Sequence, residues 1–211
     1  PYICSEWEFG GFPWWLLRYD DIELRCMNDT YLSKVDAYFD KLIPIISSCQ
    51  IDNGGSVIMV QVENEYGSYG DDSEYIRYIA SALRIRGITC ELFTSDGDCD
   101  FMLTGGTVPE IFKTVNFGSK AEKAFANLRK FQPDGPLMCA EFWNGWFDHW
   151  GEKHHKRDIS DAVKSFREVL AENGNISVYM MHGGTNFGFM NGANCTDKEF
   201  QPTVNSYGDA A

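Results

Sequence analysis

Helical and extended patterns alternate along this chain. Leu32, Val35, Phe39, Leu42, Ile43 and Ile46 fall on one face of a 3.6-residue repeat, with capping side chains at Asn28 to Thr30. Ile76, Ile79, Ala80 and Leu83 repeat that spacing between Ser73 and Gly87, a start and a stop signal. Ala121, Ala124, Phe125 and Leu128 do so before Pro133, and Ala162, Phe166, Val169 and Leu170 before Gly174. Short apolar runs at 2–4, 57–62, 90–94, 114–117, 137–140 and 176–181 read as strands. A short helix is expected near 109–112, inside the irregular link between 90–94 and 114–117.

Strands and helices that alternate without hairpin turns are joined by right-handed crossovers into a parallel sheet buried on both faces. An open doubly wound sheet would carry a phosphate loop, but no G-x-G-x-x-G or G-x-x-x-x-G-K-[ST] follows any strand. A (β/α)8 barrel instead gathers its polar chemistry at the C-terminal ends of several strands. Here those ends read Glu6, Glu65, Asp96, Asn116, Glu141 and His182. The pattern predicts the α/β class and a partial (β/α)8 TIM barrel, one domain over 1–211. It is about two β/α units short of closure, most simply at the front, so that about strands 3 to 8 are present. "PYIC", which opens on Pro1 in mid-strand, fits a fragment.

Charge narrows the partners. Lys and Arg number 18 against 31 Asp and Glu, a net charge of −13. Such a chain repels nucleic acid, and no basic cluster offsets the deficit. No apolar run approaches the roughly 18 residues that span a bilayer. Aromatic residues make up 15%, with six tryptophans, many beside glycine and acidic residues, as in "SEWEFGGFPWWLL" and "EFWNGWFDHW". Rings so placed suit stacking on a flat, mostly polar ligand, with core filling as the competing use. Seven cysteines form no zinc-type C-x-x-C pair. Cys4 and Cys139 sit in apolar runs as buried thiols, which favours a reducing compartment such as the bacterial cytoplasm.

The run "VIMVQVENEYG" ends in Glu63, Asn64 and Glu65. Ionised carboxylates resist burial, so a strand that ends in them points to an opening. Glu141 ends another strand. In a closed barrel both would reach the same mouth, and paired carboxylates in an aromatic pocket suit glycoside hydrolysis. No G-x-S-x-G elbow competes, and the strands hold no lysine for a Schiff base.

"PYICSEWEFGGFPWWLL", "VIMVQVENEYGSYG", "LFTSDG", "TVNFG", "EFWNGWFDHWG" and "YMMHGGTNFGFMNGAN" together resemble the catalytic barrel of glycoside hydrolase family 35, the β-galactosidases. The resemblance implies a retaining exo-β-galactosidase acting on a terminal galactoside, with neither metal nor organic cofactor. It implies Glu65 as general acid/base and Glu141 as nucleophile. Asn64 would bind the sugar 2-hydroxyl, and Ser5 and Glu6, matching the family's "AE" before Trp, other galactose hydroxyls. Trp143 and Trp146 would shape the pocket, and Tyr179 and Tyr207 would line the sugar site. Two positions depart from the family: "SYGDAA" replaces the usual "SYDYDAP" around Tyr207, and Trp143 stands where some relatives carry Tyr. Two other readings stay open, a related retaining exo-glycosidase such as a β-glucosaminidase and a catalytically silent galactoside-binding fragment.

Strand geometry adds a constraint of its own. On an ideal strand Asn64 and Glu65 point to opposite faces, so both can meet one sugar only if the chain bends near Asn64. Glu63 then sits a layer deeper and needs partners. Asp96, in "SDGD", reads as a structural turn residue. His149, His154 and His155 read as a solvated loop, His182 as a core histidine, and Trp14 and Trp15 as loop and core packing.

Overall fold

The computed structural model describes residues 8–181, 192–196 and 198–204. The expected strand at 2–4, with Ser5 and Glu6, lies outside the described residues, as do His182 and Tyr207. The described chain forms two compact units, Pro13–Lys113 and a second built from Thr114 onward together with residues 8–12.

In the first unit, helix α1 (Asp29–Ser48) starts where Asn28 accepts a hydrogen bond from the Tyr31 N–H at 2.9 Å. It buries Tyr31 and, from the predicted stripe, Leu32, Val35, Phe39 and Ile43, while Leu42 and Ile46 are half-buried. Strand β1 covers only Met59–Gln61, shorter than the apolar run, because Ile58 faces solvent and Val57 forms an isolated bridge to Gln50. Helix α2 (Ser73–Ile85) is capped by Asp72, which accepts from the Glu74 and Tyr75 N–H groups, and buries Tyr75, Ile76, Ile79 and Leu83. Strand β2 (Glu91–Gly97) lies parallel to β1, with Met59 opposite Glu91 and Gln61 opposite Phe93.

Two expectations change here. The strand predicted at 90–94 continues through Ser95, Asp96 and Gly97, so Asp96 is the buried end of a strand and not part of a turn. The short helix is α3 (Asp100–Gly106), upstream of the 109–112 position, where the chain instead turns into the next strand. A seven-residue helix completes barely two turns, so it leaves no i, i+3, i+4, i+7 signature to read.

In the second unit, β3 (Phe112–Phe117), β4 (Leu137–Phe142) and β6 (Gly174–Val178) are parallel, with β4 between the other two. Helix α4 (Ala121–Phe131) follows β3, and helix α5 (Ile159–Ala171) precedes β6, as the periodicity predicts. The parallel ladders of both units, with helices between successive strands, bear out the α/β class. One addition was not foreseen: β5 (Asp148–His149), β7 (Ala193–Cys195) and β8 (Phe200–Val204) form a small antiparallel sheet with β8 in the middle. Such short strands among glycines and polar residues give almost no period-2 signal. The two parallel ladders shift register between Val115 and Asn116 and between Cys139 and Phe142. Shifts of this kind bend a strand and re-aim its side chains, and both lie at the end that carries Glu141.

Aromatic rings weld this second core. Phe125, buried on α4, meets Phe117 edge to face at 5.3 Å, and Phe142 meets Phe166 in the same way at 5.8 Å. Gly174 opens β6 against this cluster: a Cβ there would fall 2.5 Å from the Phe125 ring. Truncation of Phe125 to Ala therefore leaves a hole ringed by well-fixed groups. Urea unfolding should show Phe125→Ala destabilised by about 3–5 kcal/mol with the m-value unchanged. A loss below about 1 kcal/mol would mean that the ring is not part of the core.

Candidate functional site

Each sequence-identified carboxylate stands on its own structural device. After β1 the backbone leaves the extended region: Glu63 (φ 61°) and Glu65 (φ 46°) are both left-handed. This is the bend that strand parity requires near Asn64. Two non-glycine residues in that region within three positions cost about 1–2 kcal/mol each, so the surroundings must hold them.

For Glu63 the holder is Arg25, itself left-handed at φ 53°. Arg25 Nε donates to Glu63 Oε1 at 3.0 Å and Nη2 to Oε2 at 2.8 Å, a bidentate pair whose side chains are 8% and 2% exposed. Tyr75 Oη donates to Glu63 Oε1 at 2.8 Å, and the Asn64 N–H to Oε2 at 2.8 Å. Arg25 Nη2 also reaches the Asn64 carbonyl at 2.8 Å, and its guanidinium lies 4.4 Å from the Tyr69 ring centre. Glu63 is thus the deeper carboxylate anticipated from parity, and these are its partners. Burial, then the Glu63 charge, pushes the Tyr75 phenol far up, so it stays a donor. Asn64 has its side-chain oxygen held by Gln61 Nε2 at 3.0 Å.

Glu65 itself is half-buried. Its N–H donates to the Ser95 carbonyl at 2.9 Å, and its carbonyl accepts from Ser68 Oγ at 2.7 Å. One turn further, the Gly67 N–H donates to Asp96 Oδ1 at 2.9 Å. Burial pushes the Asp96 carboxyl up to about 7; the Gly67 N–H opposes that rise, Glu65 and Glu63 add to it, and Arg25 lowers it.

In the second unit, Asn116 is buried at the end of β3, and its Oδ1 accepts the Glu141 N–H at 3.1 Å. Glu141 Oε2 accepts from the Trp143 indole N–H at 3.3 Å. Trp143 and Trp146 meet edge to face at 5.6 Å, and Trp146 stacks on Phe147 at 5.2 Å. Arg157 Nη1 ties the Trp143 carbonyl at 2.9 Å, and the Tyr179 N–H donates to the Phe142 carbonyl at 3.0 Å. Glu141, Trp143, Trp146 and Tyr179 therefore gather around the ends of β4 and β6. Asn64 and Glu65 stand at the end of β1 in the first unit, with Asp96 at the end of β2.

The histidine-rich loop is more organised than a solvated stretch. Asp148 is buried; its Oδ2 lies 2.5 Å from His154 Nδ1, and its Oδ1 accepts the His155 N–H at 2.8 Å and lies 2.7 Å from His155 Nδ1. The imidazoles stay largely exposed while the carboxylate supplies the buried anchor. Asp148, Glu152 and His155 each offer one ligand atom within 4.8 Å of the others, a set that could hold a divalent ion. Burial opposes ionisation of Asp148, but the His155 N–H and both imidazoles outweigh it and hold the carboxyl down at about 2. Among the described residues no helix is long and apolar enough to cross a membrane. Cys90 and Cys139 are buried.

Sequence reasoning missed Arg25 and underrated Asp96. The parity of Glu63 demanded a buried cation, but nothing in "DIELRCMND" distinguishes Arg25 from other basic residues.

A family model described as "Glycosyl hydrolases family 35" matches residues 1–211. The chain is 44% identical over 211 residues to a β-galactosidase of Mus musculus, covering 98% of this chain and 32% of that protein. It is 42% identical to β-galactosidase 17 of Arabidopsis thaliana (98% and 31%) and 42% identical to a β-galactosidase of Xanthomonas manihotis (98% and 35%). It thus spans about a third of the length of these curated relatives.

Two tests follow from this geometry. Arg25→Met strands a buried carboxylate and should cost about 3–5 kcal/mol in chemical denaturation, whereas Arg25→Met with Glu63→Leu should recover much of that loss. Additive losses would show that the two residues are not coupled. The second test concerns pH. Because the folded state lowers the Asp148 pKa, its stabilisation is present above the ordinary carboxylate range near 4 and lost as pH falls through about 2. Stability of Asp148→Asn, measured from pH 5 to 2, should fall less steeply than that of the parent; parallel curves would remove Asp148 from acid sensitivity.

Proposed function

The chain belongs to the glycosyl hydrolases family 35, and from that membership we propose that it is the part of a retaining exo-β-galactosidase that carries both reacting carboxylates. The observation that carries the reading is the setting of Glu141. It ends a parallel strand at a register shift, its N–H is fixed by Asn116, and its Oε2 accepts the Trp143 indole N–H beside a wall of aromatic rings. A carboxyl group oriented by a donor, against rings that can face a sugar, suits a nucleophile.

In this reading the segment is most of one catalytic (β/α)8 barrel domain, about strands 3 to 8. Glu65 protonates the glycosidic oxygen while Glu141 attacks the anomeric carbon, which expels the aglycone and leaves an α-galactosyl ester on Glu141. Glu65, now ionised, takes a proton from water, which attacks the same carbon and releases β-galactose. Asn64, Ser5 and Glu6 bind galactose hydroxyls, and Trp143, Trp146, Tyr179 and Tyr207 line the sugar. The retaining assignment asks for carboxyl groups about 5–5.5 Å apart in the substrate-bound enzyme.

Azide separates the two roles because it needs no general base. With Glu65→Gly, azide should restore turnover of an aryl β-galactoside and yield β-galactosyl azide. With Glu141→Gly it should yield the α-anomer. Glu65→Gln should slow alkyl galactosides by about 10²–10⁴-fold while sparing the first step with good leaving groups. A β-product from the Glu141 variant, with no rescue at Glu65, would reverse the assignment.

A further inference from the structure

Asp96 has no part in the chemistry above, yet it is the most heavily buried carboxylate in contact with the turn that carries Glu65. It is 1% exposed at the end of β2. Ser95 and Asp96 stitch that turn at two points: the Ser95 carbonyl takes the Glu65 N–H, and Asp96 Oδ1 takes the Gly67 N–H, each at 2.9 Å. The left-handed Glu65 is bracketed by these bonds.

The space around the carboxyl is closed by backbone. A Cβ on Gly106 of α3 would lie 1.9 Å from Asp96 Oδ1, and a Cβ on Gly67 would lie 1.8 Å from the Met102 carbonyl oxygen. Turn, carboxyl and α3 are therefore in direct contact, and the turn cannot relax without moving the helix. We propose that Asp96 is a positioning residue for Glu65, holding the turn that presents it through the Gly67 N–H and against α3. The proposal rests on the reading of Glu65 as the acid/base.

The ionisable groups that act on Asp96 are Glu65 and Glu63 from the turn and Arg25 from the segment before α1; α3 faces it with the uncharged Gly106. Burial is the largest influence and brings its titration to about 7. A protonated Asp96 keeps a carbonyl oxygen that accepts the Gly67 N–H as the ionised form does, so the anchor of the turn holds on both sides of that pH.

Asp96→Asn and Asp96→Ala are the informative pair, since the asparagine oxygen can still accept the Gly67 N–H and alanine cannot. At neutral pH kcat of Asp96→Asn should stay within about threefold of the parent, whereas Asp96→Ala should lose about tenfold or more, more for alkyl than for aryl galactosides, with KM near its starting value. Equal losses in the two variants, or an equal loss on both substrate types, would overturn the proposal and leave Asp96 a packing residue. The double variant Asp96→Ala, Glu65→Gln supplies the second check: if Asp96 acts through Glu65, adding Asp96→Ala to Glu65→Gln changes the first chemical step no further. Additive losses would overturn it. Azide rescue of Glu65→Gly, with Asp96 intact, independently decides whether Glu65 is the acid/base, so the two failures remain distinct.

Discussion

The buried bidentate pair of Arg25 and Glu63 is the constraint on which the first unit's candidate site depends. Removing a carboxylate and a guanidinium from water costs several kcal/mol per ion, which only near-complete hydrogen bonding offsets. Here Glu63 accepts from Arg25 twice, from Tyr75 and from the Asn64 N–H, and Arg25 also grips the Asn64 carbonyl. The pair therefore does more than neutralise itself. It sets the direction in which the chain leaves β1, and the residue it delivers two positions later is Glu65. The same geometry ties the segment before α1 to the strand end, through Tyr66 and Tyr69 hydroxyls on the Arg25 and Leu24 carbonyls.

In the second unit, Glu141 is held by the opposite means. A ladder irregularity, an asparagine side chain on the backbone and an indole N–H on the carboxylate fix it, and aromatic packing fixes the indole. Both routes reach the same end, a half-buried carboxylate at the C-terminal end of a parallel strand with a restrained backbone. In one unit the restraint is an ion pair, in the other neutral hydrogen-bond donors and acceptors backed by aromatic packing.

Much of this was legible before any coordinates. The helices α1, α2 and α4 were readable because four or more buried positions repeat at helical spacing, and α5 from its apolar spacing, although only Ser165 and Val169 are buried there. Parity, taken with the sugar-facing roles that the resemblance implies for Asn64 and Glu65, indicated that the chain bends near Asn64 and that Glu63 sits deep. The missed features share a cause: they depend on long-range partners or on elements too short to show a period. Arg25 finds Glu63 across 38 residues, and α3 has only Leu103 as a buried apolar side chain. "SDGD" has the composition of a turn, yet the Glu65 N–H on the Ser95 carbonyl and burial against α3 accompany a strand that runs through Asp96. Local propensity gave way there to tertiary packing.

The close approach at α3 bears on how this protein can be engineered. A helix that ends in Gly105 and Gly106 invites replacement by alanine, which would ordinarily gain about 1 kcal/mol per position in helix propensity. Neither glycine can take that advice. A methyl group on Gly105 would fall 2.5 Å from the Gly70 carbonyl oxygen, and one on Gly106 would enter the Asp96 carboxyl. Stabilisation guided by helix statistics would wedge α3 away from the very turn that presents Glu65, so thermal gains must be sought on the outer faces of α1, α2, α4 and α5 instead.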